Sequence, residues 1–463
     1  MGVLRIAAEK VRFPRSTQIT DDTSILTLMN LVLEPLCRWE NGIVRPGLLA
    51  EWQHYDGGRR WVFDLRERAV FHDGLPCKAE HVATCIGDIL RSVDRFGMKW
   101  AYARYLADAK VTVQSRRRIQ IENPAPFADI LDIFSDFYVR RETDDGYAVL
   151  GTGPYRVVKY EEDGCTELVR ADKEGPGPSH ISFVAHPRAE SRYEALRAGA
   201  VDAALNLERS ERRLDFDGHW DWVKARTTMS VMCYLNCFRG AFASVEARLA
   251  VNHAVNAQAI VDEVLHGLGA PTATVVSPHH LGASWAGLEP IPYDPVAAAR
   301  LFERAGISGP LVIRTPEFMP DKAVEISTAV AEALRTIGVE TRLEVQPDRP
   351  EYAREVGRKE IGDIAIFDST PHSTYRVLND KISSASRGLW WQGHDDAALE
   401  AMINEANFAV LPAEREVAYG KCLSRLRANP PWLYLFNPVE VFAARKGVTG
   451  LRLDSRGLLQ VPS

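Results

Sequence analysis

Hydrophobic positions recur along this chain in two rhythms. In Trp61-Val62-Phe63-Asp64-Leu65 they fall at strand spacing, and the chain then runs to a turn at Asp73-Gly74, which predicts a strand and its exit. From Glu80 to Leu90 the rhythm is helical, with Val82, Cys85, Ile86 and Ile89 on one stripe. Ile119-Gln120-Ile121-Glu122 predicts another short strand, and Arg116, Arg117 and Arg118 before it read as a solvated edge. Asp294-Pro295 is a helix start, Asp as N-cap and Pro at the first helical position. Ala297, Ala298, Leu301 and Phe302 form its buried stripe, and Gly306 is placed to take the left-handed C-terminal position. A second helix from about Ala323 stops at Ile337-Gly338 and feeds a strand over Val339 to Val345. Asp363-Ile364-Ala365-Ile366-Phe367 is nearly all apolar, as expected of a strand in a sheet covered on both faces. Asp395 is expected to cap a helix carrying Leu399, Met402, Ile403 and Ala406. Short strands alternating with amphipathic helices predict an α/β fold. Ligand chemistry in such folds collects at strand ends, which singles out the loop from Asp368 to Tyr375.

Composition narrows the function classes. The chain's 463 residues suffice for two or three packed domains. A net charge of -6 argues against a nucleic-acid partner, which needs a basic face to replace phosphate counterions. No stretch approaches the roughly 20 apolar residues of a membrane span; Ile25 to Leu36 is interrupted by Thr27, Asn30 and Glu34. Met1-Gly2-Val3-Leu4-Arg5-Ile6 reads as the start of a first strand, without the segments of a secretory leader. Two expectations stand: a leader removed from this chain, or a protein made without one. The seven cysteines (Cys37, Cys77, Cys85, Cys165, Cys233, Cys237, Cys422) are a poor disulfide framework and favour a reducing compartment.

Signatures of catalysis are missing, and the chain is expected not to be an enzyme. There is no phosphate loop; Gly151-Thr152-Gly153-Pro154 does not continue as a dinucleotide fingerprint, and Gly282 to Gly287 lacks the nucleophile-elbow spacing. Cys233 and Cys237 read as small core hydrophobes, with no second ligand pair to complete a zinc site. His279-His280 reads as a pair of surface polar residues in a Ser-Pro loop, and His72 as an orienting group beside Asp73. No cofactor is expected.

Several segments together resemble the extracellular solute-binding proteins of family 5, the dipeptide, oligopeptide, opine and nickel-chelate receptors of ABC importers. They are Leu33-Glu34-Pro35-Leu36, Pro46 to Trp52, Trp61 to Arg66, Val70-Phe71-His72-Asp73-Gly74 with Ala79 to Val82, and Gly151-Thr152-Gly153-Pro154-Tyr155. Ala195 to Asp202, Tyr234-Leu235-Asn236 with Ala247 to Asn256, Tyr293 to Gly306 and Asp395 to Ala406 follow in the family's order. The segment after Arg170 departs: Ala171 to Ser179 is a short Gly/Pro run where the family has an aromatic stretch.

The resemblance implies a two-lobed periplasmic-binding-protein fold, type II-like and of cluster C, with a small inserted subdomain and a hinged cleft. Lobe I would comprise 1-45, the inserted subdomain 46-149, lobe I again 150-235, lobe II 236-435, and a return segment 436-463. It further implies a monomer outside the cytoplasmic membrane. Such a protein captures a small peptide, peptide-like solute or metal chelate by hinge closure and delivers it to an inner-membrane permease. The alternative is a leaderless cytoplasmic ligand sensor using the same clamp. Asp368-Ser369-Thr370-Pro371-His372-Ser373 is similar to a nickel-chelate stretch whose histidine lies near the metal, so His372 is either a metal ligand or a structural histidine. Trp100 and Arg104 lie in a segment resembling one that lends Trp and Arg to that pocket. Tyr138 stands about where relatives carry a second Arg, with Arg140 and Arg141 adjacent. Tyr234 falls in a matched segment, and Trp390 and Trp391 either stack on a ligand or pack in lobe II. For a peptide, Asp368 would take the amino group and Arg140 with Arg141 the carboxylate.

Overall fold

The computed structural model describes residues 2-15, 18-92, 101-142, 149-172, 175, 177-307 and 309-462. The chain forms two compact units, one from Met1–Ala225 with Glu440–Ser463, the other from Arg226–Val439. Among the described residues no helix is long and apolar enough to cross a membrane.

In the first unit the strand Val3–Ala8 lies between parallel partners, His180–Ala185 on one side and the short Ala203–Ala204 on the other. Cys165–Arg170 and Tyr155–Lys159 extend this sheet antiparallel. Its core takes Leu4, Ile6 and Ala8 together with the helix Thr23–Val32, whose N-cap Asp22 accepts from the amides of Ser24 and Ile25. A separate antiparallel sheet runs in the order Leu49–Tyr55, Arg60–Leu65, Arg118–Glu122 and Lys110–Ser115. The helix Ala79–Arg91 buries Val82, Ile86 and Ile89, as its stripe predicts, while Arg116, Arg117 and Arg118 are exposed at the sheet's edge.

Four of the segments carrying the family resemblance meet in one joint of this unit. Thr152 Oγ1 and Arg66 Nε both donate to Glu34 Oε2, at 3.2 and 2.9 Å. His72 Nε2 lies 3.0 Å from the Gly153 carbonyl, and the Gly151 amide donates to its Nδ1 at 3.3 Å. Glycine is needed at 151 because a Cβ there would stand 1.9 Å from the Val32 carbonyl oxygen. His72 is thus the orienting group its turn suggests.

The second unit is built on a mixed sheet. Ser230–Leu235 pairs antiparallel with Ile364–Ser369, from Ser230 opposite Ser369 to Leu235 opposite Ile364, and on its other side with the strand beginning at Trp432. Leu311–Pro316 runs parallel to both Ile364–Ser369 and Thr341–Gln346. Alternate residues serve two cores. Cys233, Leu235, Ile364 and Ile366 pack with the helices Val245–Ala254, Pro295–Ala305 and Ala323–Thr336. Met232, Tyr234, Ala365 and Phe367 face Arg349–Gly357, Ala397–Phe408 and Pro412–Ala428. Covered on both sides, the Ile364 strand has no use for polar residues until its end. Asp294 caps Pro295–Ala305 through the Ala297 amide at 2.8 Å, and Gly306 closes it with φ 65°. The cap of Ala397–Phe408 is Asp396, not Asp395: its carboxylate accepts from the amides of Ala398 and Leu399 and from Arg425 and Asn429. The two adjacent aspartates are indistinguishable by periodicity, and only Asp396 has those partners. All seven cysteines are free, and Cys237 joins Cys233 in the first core of this unit.

Candidate functional site

Polar chemistry in the second unit collects where Ile364–Ser369 ends. Asp368 lies one residue before that end. Beyond it, the short helix Thr374–Val377 is capped by the Ser373 hydroxyl and runs into a five-residue π-turn, Leu378–Ile382. Such turns are rare and are often found at functional sites. This one returns Asp380 and Lys381, both buried, toward the strand: Lys381 Nζ donates to the Asp368 carbonyl at 3.1 Å. Gly388 permits the fold-back, since a Cβ there would stand 2.2 Å from the Asp380 carbonyl oxygen.

A second cation enters from the first turn of Arg349–Gly357. Arg349 is buried, its guanidinium 4.7 Å from the Phe367 ring centre, its Nη2 3.8 Å from Asp368 Oδ1, and its Nε donating to the Met319 carbonyl at 2.9 Å. Arg376 Nε approaches Asp380 Oδ2 at 4.0 Å. Tyr234, fully buried, packs its ring 5.5 Å from Phe367 and 5.6 Å from Trp432. Its Oη has no hydrogen-bond partner among the described residues, and neither does Ser369 Oγ, also buried. Burial first, and then the negative charge of Asp368 with Tyr352 and Asp380, holds the Tyr234 phenol well above its ordinary range. That phenol is a fixed neutral donor.

The loop between strand and helix is pinned from behind by a residue whose sequence reading needs correction. His280 is not a surface residue: it is 3% exposed, with Nε2 2.9 Å from the Pro371 carbonyl and Nδ1 3.0 Å from Ser277 Oγ. Burial pushes its imidazole down to about 4, so it is neutral at physiological pH. The reading failed because a Ser-Pro context suggests a surface turn, whereas this turn docks against Pro371. Thr374 Oγ1 adds a bond to the Leu281 carbonyl at 2.7 Å. His372 is itself buried, at 4% exposure.

The candidates named from sequence therefore divide. Tyr234, Asp368 and Trp390 belong to one neighbourhood; the Trp390 ring lies 5.1 Å from, and tilted 38° to, the same Phe367 ring that Tyr234 and Arg349 approach, and His372 lies in the adjoining loop. Trp391 is engaged elsewhere, with its ring 5.1 Å from Phe238 and its Nε1 donating to the His394 carbonyl at 2.7 Å. Arg104, Tyr138 and Arg140 belong to the first unit. Tyr138 is packed in its core and donates to Asn30 Oδ1 at 3.0 Å. Arg104 is exposed and lies over Tyr105 at 5.1 Å. Arg140 is half-buried near Cys85, whose thiol burial pushes up to about 12 against the pull of that guanidinium. Trp100 falls outside the described residues. Sequence reasoning missed Arg349, Arg376, Asp380 and Lys381. A proline-containing helix start hides the first, and the others sit in a π-turn that no helical or strand period marks.

This neighbourhood has the parts of a small-solute site: aromatic rings, charged side chains and two buried hydroxyls with no hydrogen-bond partner among the described residues. Among the described residues no group of three or more His, Cys, Asp or Glu side chains is placed to hold a metal ion.

Known proteins give the arrangement its context. The chain is 26% identical over 447 residues to the nickel-binding periplasmic protein of Escherichia coli, covering 87% of this chain and 83% of that one. It is 24% identical over 426 residues to the glutathione-binding protein GsiB of Salmonella typhimurium, covering 85% and 81%. Among solved structures, NikA from Brucella suis in complex with Fe(III)-EDTA superposes with a TM-score of 0.80 at 21% identity, over the whole of both chains. DppA from Helicobacter pylori in complex with the peptide STSA gives 0.76 at 19% identity, covering 100% of this chain and 98% of that one. These likenesses fix a two-lobed periplasmic-binding-protein fold. The family model for bacterial extracellular solute-binding proteins, family 5, matches residues 44–379, and the chain belongs to that family, the substrate-binding proteins of ABC importers.

Proposed function

We propose that this protein captures a small peptide-like solute or metal chelate outside the cytoplasmic membrane, as a monomer, and hands it to an ABC permease. In the second unit the ligand-contacting residues are Tyr234, Asp368, Trp390 and the His372 loop; in the first unit the candidate, taken by itself, is Arg140. The observation that carries this reading is the polar constellation at the end of Ile364–Ser369: Arg349 lies over Phe367 and near Asp368, Lys381 donates to the Asp368 carbonyl, and the buried Tyr234 and Ser369 hydroxyls have no hydrogen-bond partner among the described residues. A stable core has no reason to bury donors unmatched, and a solute-binding site has. The reading as a cytoplasmic sensor has less behind it, because a similar relative is itself named a periplasmic protein.

The relatives' printed ligands span nickel, glutathione, a peptide and Fe(III)-EDTA. A thermal-shift panel separates these classes: di- and tripeptides, glutathione, and nickel or iron with and without small chelators. Binding to the folded state alone raises Tm by mass action, about 2.7 kcal/mol of stabilisation at a ligand concentration of 100 Kd. A shift from one class, saturating at one equivalent, is the expected result. A shift from bare metal alone would replace solute capture with a simple metal site.

A further inference from the structure

The second unit carries a cavity apart from the strand-end cluster. It measures about 250 Å³ and shares no residue with that cluster. Its floor is Asn252, Val255, Thr272 and Tyr434, each buried. The side-chain donors of that floor are already engaged within the protein. Asn252 Nδ2 donates to the carbonyls of Arg248 and Trp432 at 2.8 and 2.9 Å. Tyr434 Oη donates to the Leu426 carbonyl at 2.9 Å, and Thr272 Oγ1 to the Thr274 carbonyl at 3.2 Å. Among the described residues no charged side chain lines the cavity. An anion seated there meets no unengaged donor on the floor, and a cation meets no carboxylate. Either would lose hydration without replacement.

The walls are made largely of rings. Pro271, Pro290 and Pro292 have no amide to offer, and Tyr293 is 50% exposed. These walls are held in place by the protein itself. His253 Nδ1 donates to the Pro292 carbonyl at 2.8 Å, and the Asp294 amide donates to the His253 carbonyl at 2.9 Å. Arg427 Nη2 donates to the Pro290 carbonyl at 3.3 Å. Asn256 caps the helix Ala257–Glu263 through the Ala259 amide at 3.0 Å. A preformed space of this kind is filled by shape and ring contact rather than by charge. An apolar cavity of about 150 Å³ is enough for benzene, so 250 Å³ has room for a two-ring aromatic.

We infer that this cavity is a second binding site, for a small uncharged aromatic molecule of the size of indole. The inference goes beyond solute capture and does not rest on it, because the two sites have no residue in common.

Calorimetry on the full chain tests it with indole and phenol as probes and with benzoate and benzylammonium as charged counterparts. Indole binds at one equivalent, and the charged probes bind at least roughly tenfold more weakly, as seating a charge without a partner implies. Ala257 lines the cavity at the first residue of its helix. Ala257→Leu adds bulk where the ring would sit and lowers indole affinity by roughly tenfold or more. Tyr293→Ala removes an exposed ring, lowers indole affinity severalfold with the unliganded Tm unchanged, and keeps the test open should Ala257→Leu fail to fold. Absence of binding by both neutral probes, equal binding of the charged ones, or unchanged indole affinity in either folded variant overturns the inference. Tighter binding of N-acetyl-tryptophanamide than of indole gives the cavity to a protein side chain and overturns the small-molecule assignment. None of these outcomes bears on solute capture, which the thermal-shift panel tests separately.

Discussion

At the residue scale, His372 is where the two readings of the solute part. It is 4% exposed in a loop whose other face is held by His280 through the Pro371 carbonyl. If a chelated metal has one coordination position open toward this loop, His372→Ala should weaken binding of the metal-loaded solute by about 10-fold or more, comparable to other disturbances of metal shells. Binding of a metal-free solute should be nearly unaffected, and the melting of the unliganded variant reports any structural role. Equal losses for both solutes would make the histidine structural. The sequence marked His372 and Asp368 because they follow an apolar strand, and strand ends collect chemistry. It did not mark Arg349, Asp380 or Lys381, whose placement depends on a helix start 19 residues upstream of Asp368 and on a π-turn. Neither has a periodic signature. Tyr234 was legible as a matched position, but that its hydroxyl has no hydrogen-bond partner among the described residues is a property of packing alone.

Among elements, the helix Ala397–Phe408 gives a direct check on how its end is held. The Asp396 carboxylate takes two backbone amides, Arg425 Nε at 2.7 Å and Asn429 Nδ2 at 2.8 Å. These donors, against the opposing effect of burial, hold its pKa down to about 2. A carboxyl whose folded pKa lies below its unfolded value of about 3.9 contributes stability above that pH. The contribution is lost as pH falls from about 4 toward 2. Asp396→Ala should therefore cost about 1–2 kcal/mol at neutral pH, the range for a lost N-cap. Urea midpoints should also converge with those of the unchanged protein toward pH 2. A midpoint difference that persists undiminished at pH 2 would place the effect outside this carboxylate. The sequence predicted this helix and its buried stripe but put the cap one residue early, since a cap is decided by which side chain reaches the amides. By contrast, Asp294 before Pro295 left no ambiguity, because Pro fixes the first helical position.

For the whole molecule, what the sequence made legible was chiefly the framework. The matched segments from Leu33 to Tyr155 include the joint at Glu34, Arg66, His72 and Gly151, which holds the first unit together. They report the fold without reporting the solute, which is why family membership was readable and ligand identity was not. Solute chemistry rests on side chains that the fold does not require, such as Arg349 over Phe367. The central claim is that this protein exists to hold a small solute. Native mass spectrometry of freshly purified protein tests it most directly. The account predicts a single adduct of small-molecule mass on the 51.7 kDa chain, released on unfolding. A chain that carries no adduct as isolated, and gains none from peptides, glutathione or metal chelates at millimolar concentration, would contradict it.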